Sequence, residues 1–439
     1  MSAVFWEKEV ETLCREKLEA LQLQRLRATI DQALKTPFYK KRLSQAGVLS
    51  GNDIASFGDV RKIPYTTKDD LRQGFPYGFL AVNTDDVIRL HTSSGTTGTP
   101  TAVYHTRDDI ARWANLCARS LAATGASQRD VFQNMMTYGL FTGGLGLHYG
   151  AELLGMMVIP SGSGNTPRQL QLMRHFRTTA VHATPSYLLH LFGEIEKEGL
   201  TLSDLCLTKA YVGAEPHSEG IRRKIESLFG IDVYNSYGLS EMNGPGVAFE
   251  CIAKECMHVW EDSYYAEIVD PGTLEALGPG REGELVLTAL TRQATPILRY
   301  RTRDLTVIEE GQCACGRTHR RIARIKGRSD DMIIVNGVNI FPSQIEAVLM
   351  RVPEVGTNYQ IYLDKQASLD RLTVKTEVAP EAFTGEFVAL EKLRNHLKHL
   401  LKSEILVNPV VELHEPGALP VSTGKAVRVV DQRNEAYCG

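Results

Sequence analysis

The sequence has almost no imbalance of charge. Its 439 residues carry 49 Lys and Arg against 52 Asp and Glu, a formal net charge of −3. A broad nucleic-acid or anionic-membrane surface needs an excess of basic side chains, so this balance argues against both partners and favours a small molecule. The length exceeds that of one ordinary core and predicts two or three domains.

The sequence also lacks a long apolar run that is free of polar groups. Its most apolar region, 138–160, has no Lys or Arg but contains His148, Glu152 and six glycines, which predicts buried core and not a bilayer span. The first residues mix acids and bases without an apolar stretch, so we expect no secretory signal. The eight cysteines are scattered, which argues against a disulfide framework and favours a reducing cytoplasm.

The chain does contain a regular alternation of apolar runs and amphipathic helices. Residues 8–46 have helical spacing, with Gly47 as a C-cap. From about residue 86, short apolar runs alternate with helices that we expect to begin at the N-caps Thr106, Thr166 and Thr184. This alternation predicts an α/β fold with a parallel, helix-covered sheet, in which ligands bind at the carboxyl ends of the strands.

The character of the chain changes after about residue 250. Apolar runs separated by Pro and Gly turns predict a mostly β region there. A small α/β segment follows, and the glycine and charge cluster from Gly327 to Asp331 predicts the boundary before it.

The stretch from Ser93 to Thr101, SSGTTGTPT, holds two glycines and six hydroxyl side chains. Glycines let successive backbone N–H groups converge on an anion, and hydroxyl groups add donors, so the stretch suits phosphate. Its Gly95-x-x-Gly98 spacing does not fit the nucleotide-binding loop that ends in Gly-Lys-Ser or Gly-Lys-Thr. On the residues alone, a plain surface turn stays open as the alternative.

Five later motifs follow this loop in a fixed order: GAEP from Gly213, YNSYGLSE from Tyr234, RYRTRDL from Arg299, GRSDDMIIVNGVNIFP from Gly327 and STGKAVRV from Ser422. Together they resemble the adenylate-forming superfamily of acyl-CoA synthetases and luciferases, and within it the phenylacetate-CoA ligases. The resemblance spans residues 5 to 435. It implies an ATP-dependent ligase that makes an acyl-adenylate from an aryl acid and transfers the acyl group to CoA, with Mg²⁺ bound.

The resemblance implies a role for individual residues. Lys425 is the adenylation lysine, Asp304 binds the ribose hydroxyls, and Arg328 lies beside phosphate and ribose. Glu241 supplies a carboxylate to Mg²⁺, and Tyr237 stacks on adenine. The remaining residues of the implied ATP site are Ser93, Ser94, Gly95, Thr96, Thr97, Gly98, Gly213, Ala214, Glu215, Asn235 and Gly238.

The resemblance further implies a two-domain enzyme, with residues 1–328 forming the ATP and acyl domain and residues 331–439 a small mobile domain. Asp330 is the hinge between two orientations, and Gly337 lines the CoA channel in one of them. Tyr138 and Phe141, followed by glycines, are candidate walls of the acyl pocket, although core packing explains them as well. Dimers are common among such enzymes, so a homodimer is a hypothesis.

The cysteines suggest a separate metal hypothesis. Cys251, His258, Cys313 and Cys315 offer the ligand set of a tetrahedral Zn²⁺ site, and ligases with this cysteine pair imply a structural zinc. The spacing is weak support, Cys256 competes as a ligand, and unpaired buried thiols are the alternative.

Two features leave the function open at this point. An adenylyltransferase acting on a deazaflavin-type coenzyme shares the motifs, and so does a relative with weakened catalysis. The chain also has Thr99 where related loops have lysine, SSGTTGKPT. We expect weaker binding of ATP or pyrophosphate, partly compensated by backbone donors, Mg²⁺ and Lys68.

Overall fold

The structure is a computed structural model that describes residues 4–92, 99–140, 142–366, 369–383, 386–420 and 428–433. The α-helices within these ranges are α1 Lys8–Glu11, α2 Arg15–Ala33, α3 Pro37–Gln45, α4 Lys68–Gln73, α5 Arg107–Ala123, α6 Thr142–Leu154, α7 Thr166–His175, α8 Pro185–Ile195, α9 Glu219–Phe229, α10 Pro342–Leu349 and α11 Phe387–Ile405. Short 3₁₀ turns cover Gly51–Asp53, Phe57–Lys62, Thr84–Asp86, Leu202–Asp204, Ser240–Met242 and Pro380–Ala382.

The strands follow the same chain order. They are β1 Arg89–Thr92, β2 Ala102–His105, β3 Val131–Asn134, β4 Met157–Ile159, β5 Ala180–Ala183, β6 Lys209–Val212, β7 Asp232–Leu239, β8 Gly244–Glu250, β9 Met257–Val259, β10 Tyr264–Val269, β11 Ala276–Leu277, β12 Glu282–Ala289, β13 Tyr300–Glu309, β14 Arg321–Ile322, β15 Gly327–Arg328, β16 Ile333–Val335, β17 Val338–Ile340, β18 Val355–Gln366, β19 Leu369–Val378, β20 Val410–His414 and β21 Val429–Asp431.

One sheet of 13 strands organises the large part of the molecule. Its order is β11-β10-β12-β13-β14-β9-β8-β7-β6-β5-β3-β4, and β15 pairs with β13. Neighbours from β4 to β7 are parallel, and neighbours from β7 to β11 are antiparallel. The α/β class and the later β region are therefore confirmed. The β region extends the parallel sheet through β7 and β8.

Helix starts follow local chemistry, with one difference from expectation. The Thr106 and Thr184 side chains accept hydrogen bonds from Asp109 N and Tyr187 N, which confirms both as N-caps. The prediction for Thr166 is wrong: it is the first residue of α7, and the Asn165 side chain caps the helix instead. Asparagine ranks above threonine as an N-cap and tolerates the left-handed conformation that Asn165 adopts here, at φ 50°.

The N-terminal helical region is divided. Residues 8–46 form α1, α2 and α3, and not one continuous helix. The last break lies at Thr36, whose side chain caps α3 immediately before Pro37. Proline suits the first turn of a helix but cannot continue a helix interior, so the break follows from the sequence.

Helices α5 and α6 pack closely against each other because α6 has glycines at the contact. A Cβ on Gly146 would lie 2.6 Å from the Trp113 ring, and one on Gly150 would lie 2.4 Å from the Cβ of Cys117. One face of α6 is thus buried core, but Leu140, Leu153 and Met157 of the same apolar region are exposed, so the prediction of buried core for residues 138–160 is confirmed only in part. Within the described residues, no helix is long and apolar enough to cross a membrane.

The C-terminal part has its own core. A four-stranded sheet of order β20-β19-β18-β21 packs with α10 and α11, and a hairpin of β16 and β17 precedes them. Met350, just after α10, also packs against the core of the large part, where a Cβ on Gly220 would lie 3.2 Å from the Met350 Cβ. Contact between the two parts is therefore made at the N-terminus of α9.

Candidate active site

The site begins at the carboxyl ends of β6 and β7, where the topology places ligands in parallel sheets. Gly213, Ala214 and Glu215 form a turn after β6, which we call the GAE turn. A Cβ on Gly213 would lie 2.4 Å from the Ser236 carbonyl oxygen, so only glycine fits against β7. Ala214 has φ 68°, a left-handed conformation that redirects the chain there. The Glu215 carboxylate accepts a hydrogen bond from Ser186 N at 2.7 Å and fixes the turn to α8.

Asn235, Tyr237 and Gly238 lie on β7 beside this turn. Asn235 is buried, and its N–H donates to the Glu250 carboxylate at 2.7 Å. Gly238 is required because a Cβ there would lie 1.7 Å from the Gly244 carbonyl oxygen. The structure therefore brings the GAE turn and the predicted part of β7 together.

Tyr237 and Asp304 are joined directly, although they are 67 positions apart in sequence. The Tyr237 hydroxyl donates to Asp304 Oδ2 at 2.6 Å. Burial raises the pKa of Asp304 to about 6, and burial together with the Asp304 charge raises the pKa of Tyr237 well above 10. The remaining oxygen, Oδ1, lies 3.7 Å from the Arg328 guanidinium, and the Asp304 side chain is 14% exposed. This carboxylate is thus held in place and keeps acceptor capacity for a ligand.

Arg328 connects the predicted nucleotide site to the predicted hinge. Its Nε and Nη2 donate to the two carboxylate oxygens of Asp330, at 2.8 and 2.9 Å. Burial lowers the pKa of Arg328, but the hydrogen bond with Asp330 and the charges of Asp304 and Asp330 outweigh it and raise that pKa overall. A planar guanidinium paired with both oxygens of a carboxylate gives a defined geometry, so Arg328 and Asp330 hold each other in this orientation.

Glu241 lies in the turn after β7 and is 6% exposed. Burial and the charge of the neighbouring Glu241 raise the pKa of Tyr300 well above 10. The buried Arg292 donates to the Glu241 carbonyl oxygen at 2.7 Å and to the Tyr104 carbonyl oxygen at 3.3 Å. Arg292 therefore ties the backbone of Glu241, the predicted Mg²⁺ ligand, to β2, the strand that follows residues 93–98 in sequence.

Sequence reasoning assigned no role to Tyr300 or Arg292. Tyr300 and Asp304 both lie on β13, but the pairing of the strand is irregular between them, where Arg303 has φ 69°. Regular alternation of faces does not hold across such a bulge, so periodicity could not have identified Tyr300. Arg292 has no local signal either, since its partners come from β2 and the turn after β7.

The predicted acyl pocket is only partly described. Tyr138 accepts a hydrogen bond from Asn134 Nδ2 at 3.0 Å, and its hydroxyl lies 3.1 Å from His148 Nδ1. The space beside Gly144 is filled by the chain itself, because a Cβ there would lie 2.8 Å from the Thr137 carbonyl oxygen. Gly143 is less crowded, with Met136 at 3.5 Å from a Cβ.

Several predicted residues lie outside the described residues: Ser93, Ser94, Gly95, Thr96, Thr97, Gly98, Phe141 and Lys425. Thr99 is described and exposed. Gly337 is also described, with φ 83°, and follows Asn336, with φ 49°. These two residues form the tight turn between β16 and β17, for which Asn-Gly is the favoured sequence.

The four predicted metal ligands come together in a buried cluster. The ligand atoms of Cys251, His258, Cys313 and Cys315 all lie within 4.8 Å of one another. The Cys251 and Cys313 Sγ atoms are 3.6 Å apart, and Cys315 Sγ is 3.4 Å from His258 Nε2. Two thiolates on one tetrahedral Zn²⁺ lie about 3.8 Å apart, so the spacing fits a shared ion, whereas a disulfide needs about 2 Å.

The surroundings of the cluster also suit a metal. His258 Nδ1 lies 3.2 Å from the His319 carbonyl oxygen, so its proton is held there and Nε2 faces the thiols as an acceptor. Cys256 is not part of the cluster and is only partly buried. The competing assignment of Cys256 as a ligand is therefore not supported by the geometry.

Comparisons with known proteins identify the family of this chain. The AMP-binding enzyme family matches residues 17–289, and the AMP-binding enzyme C-terminal domain matches residues 337–433. The chain is 44% identical to the phenylacetate-coenzyme A ligase of Thermus thermophilus, over 98% of this chain and 100% of that protein.

Two solved structures of one ligase differ in how well they superpose on the chain. The 2-hydroxyisobutyryl-CoA ligase in the postadenylation state, with R3-HIB-AMP, gives a TM-score of 0.92 at 28% identity, covering 98% of this chain and 93% of that one. The same ligase with 2-HIB-AMP and CoA in the thioesterification state gives 0.73 at 29% identity, covering 98% and 92%.

Proposed function

The chain belongs to the phenylacetate-CoA ligase family of AMP-binding enzymes and is an ATP-dependent, AMP-forming acid–CoA ligase, and we propose that its acid is a small aryl acid, with phenylacetate as the first candidate. In this reaction the acid carboxylate attacks the α-phosphate of ATP, which releases pyrophosphate and leaves an acyl-adenylate. The CoA thiol then attacks the acyl carbon and displaces AMP. We choose phenylacetate because the chain is 44% identical, over nearly its full length, to a phenylacetate-coenzyme A ligase.

The geometry supports the nucleotide roles that we propose. Asp304 accepts the ribose hydroxyls through the oxygen that Tyr237 leaves open, and Arg328 neutralises charge beside it. Tyr237 presents its ring as one wall for adenine while its hydroxyl orients Asp304. The GAE turn and Asn235 form the opposite side, and Ser93 to Gly98 hold the β and γ phosphates.

Glu241 would hold Mg²⁺, since a buried carboxylate is the ligand type that a hard cation prefers, and a bound Mg²⁺ would neutralise phosphate charge. Arg292 keeps the Glu241 backbone in place through its carbonyl oxygen, and Tyr300 lies near the Glu241 carboxylate. Lys425 adds the positive charge for adenylation, for which one preorganised donor contributes roughly 3 to 4 kcal/mol.

The hinge and the second half-reaction remain part of the proposal. Asp330 lies between β15, which pairs with the large sheet, and the β16–β17 hairpin of the C-terminal part. A rotation at Asp330 would remove Lys425 from the adenylate and bring the Asn336-Gly337 turn toward the thiol channel. Arg328 would release Asp330 in that step.

We also propose that Cys251, His258, Cys313 and Cys315 hold one structural Zn²⁺. A closed set of four protein ligands leaves no position for substrate, and the cluster joins the end of β8, β9 and the segment before β14. Purified protein should contain about one zinc per chain by elemental analysis, and Cys313→Ser should lose it and lower the Tm. Cys206→Ser, which lies outside the cluster, should change neither the zinc content nor the Tm. Wild-type protein that contains no zinc would refute the site.

The function is tested by acid-dependent AMP release. With ATP, Mg²⁺ and CoA, phenylacetate and other aryl acids should give AMP and the matching thioester, faster than short aliphatic acids do. Thioester formed only from aliphatic acids would refute the aryl proposal. AMP transferred to a coenzyme hydroxyl, without a thioester, would favour the adenylyltransferase.

The homodimer also stays a prediction. Light scattering, which measures the molar mass in solution, would test it.

A further inference from the structure

The interface between the two parts carries a buried carboxylate that the roles above do not use. Glu346 lies on α10, and its Oε1 accepts a hydrogen bond from the Ser218 backbone N–H at 2.8 Å. Ser218 is the N-cap of α9 in the large part, three residues after Glu215 of the GAE turn. Glu346 is 5% exposed, so the bond forms away from water. One carboxylate thus joins the two parts next to the nucleotide site.

This hydrogen bond completes the cap of α9. The first N–H groups of a helix lack partners within it, and a capping box supplies one from a Glu or Gln at the third helical position. In α9 that position is Ile221, which has no side-chain acceptor. Glu346 supplies the acceptor from the other part of the chain, and its charge faces the positive end of the helix dipole.

The second oxygen of Glu346 connects, through Tyr359, to Arg428 near Lys425 in sequence. Its Oε2 accepts a hydrogen bond from the Tyr359 hydroxyl at 2.8 Å. The Arg428 guanidinium lies 4.3 Å from the centre of the Tyr359 ring and donates to the Tyr359 carbonyl oxygen at 3.1 Å. Arg428 comes three residues after Lys425. Contacts therefore run without a break from the N-terminus of α9, through Glu346 and Tyr359, to Arg428.

We propose that Glu346 and Tyr359 are positioning residues for the adenylation half-reaction, which latch the C-terminal part in the orientation that presents Lys425 to the nucleotide. The latch rests on the proposed function, because it requires Lys425 to act in adenylation and Asp330 to be the hinge. Ser218 and Glu346 lie on opposite sides of Asp330 in the chain, so rotation there separates them. A contact made in only one orientation shifts the equilibrium toward that orientation.

The comparison structures fit this assignment. The chain superposes better on the postadenylation state of the solved ligase than on its thioesterification state. The orientation in which Glu346 reaches Ser218 is therefore closer to the postadenylation state of that ligase, which we assign to the adenylation half-reaction. Loss of the latch should slow the first half-reaction and spare the second.

The test measures each half-reaction in Glu346→Ala, in Tyr359→Phe and in a control. Adenylation is followed as acid-dependent exchange of labelled pyrophosphate into ATP, and thioester formation as reaction of synthetic acyl-adenylate with CoA. Exchange should fall about 10- to 100-fold in Glu346→Ala and about tenfold in Tyr359→Phe, while thioester formation changes by less than about twofold. The control is Tyr362→Phe, on the same strand as Tyr359. It removes a hydroxyl that donates to the Gln360 side chain, at 3.1 Å, and should change neither rate.

Equal loss of both half-reactions, or unchanged exchange in both variants, overturns the latch. If Glu346→Ala does not fold, Tyr359→Phe decides, because it keeps the ring beside Arg428 and removes only the hydroxyl. The double variant should lose no more exchange than Glu346→Ala alone, since both act through one contact. Wild type that exchanges no pyrophosphate with any acid refutes the proposed function instead.

Discussion

Asp304 in the large part and Glu346 in the C-terminal part are both buried carboxylates that accept a hydrogen bond from a tyrosine hydroxyl. The oxygen–oxygen distances are 2.6 Å from Tyr237 to Asp304 and 2.8 Å from Tyr359 to Glu346. Burial raises the pKa of both carboxyl groups.

The two carboxylates differ in their second oxygen. That of Glu346 accepts the Ser218 backbone N–H, so both of its oxygens are used inside the protein. Among the described residues, Asp304 Oδ1 has only the Arg328 guanidinium, 3.7 Å away. The Asp304 side chain is 14% exposed, so this oxygen is held in place and remains accessible to a ligand. The comparison separates the carboxylate that we propose binds substrate from the one that we propose positions a domain.

The largest expected effect comes from removing the open carboxylate. Asp304→Ala should raise the KM for ATP and lower kcat/KM about 100-fold or more, because hydrogen bonds to a charged group contribute about 1.5 to 3 kcal/mol each. Steady-state kinetics with varied ATP measures this. The control Asp364→Ala removes a partly exposed carboxylate that is paired with Arg371, and should leave the KM unchanged. A wild-type KM in Asp304→Ala would contradict the ribose assignment.

The same carboxylate should make stability depend on pH. Asp304 has a pKa near 3.8 when unfolded and about 6 when folded. Between these values the folded state binds the proton more tightly, so its stability falls as pH rises, and the full penalty applies above pH 6. Asp304→Asn should therefore be more stable than wild type at pH 7.5 by on the order of 2 kcal/mol, and the gap should close near pH 4. Urea unfolding across this range measures it; a gap that grows toward low pH would reverse the sign.

A smaller effect is expected at Asp330, the proposed hinge, which lies between these two carboxylates in the sequence. Asp330→Pro fixes a backbone angle there and should slow thioester formation about tenfold while sparing adenylate formation. The two half-reaction assays described above measure the difference. Asp330→Asn keeps backbone freedom and a partner for Arg328, so it should affect thioester formation less. Equal loss of both half-reactions in Asp330→Pro would argue against a hinge.

The smallest effect is expected at the phosphate loop. Thr99→Lys adds a positive charge where the chain has a neutral hydroxyl, and should lower the KM for ATP by about three- to tenfold. Thr99→Gln adds length without charge and should leave the KM near that of wild type. An unchanged or higher KM in Thr99→Lys would show that other donors already suffice.

Local signals predicted helix starts and the order of elements well. The N-caps Thr106 and Thr184 can each be predicted from residues no more than three positions away, and the structure confirms both. The Thr166 assignment failed because the adjacent Asn165 is the stronger cap. Local reasoning therefore errs by about one position where two cap residues are neighbours.

The metal cluster shows where sequence reasoning stops. Four ligands and a competitor, Cys256, could be named, but spacing could not choose among them. The choice depends on β9 pairing with β14, which places His258 opposite Arg321, and on Cys251 following β8 directly. Strand pairing between segments more than 60 positions apart is not encoded in any short motif.

The sequence by itself determined the family resemblance, the α/β class and the chemical identity of the candidate residues, because these depend on residue type, order and periodicity. Only the tertiary structure decided which carboxylate keeps an open oxygen. The Tyr237–Asp304 contact spans 67 positions and the Ser218–Glu346 contact spans 128. Such contacts are set by strand order and by the packing of one domain on another, which act over distances that helix caps and strand alternation do not reach.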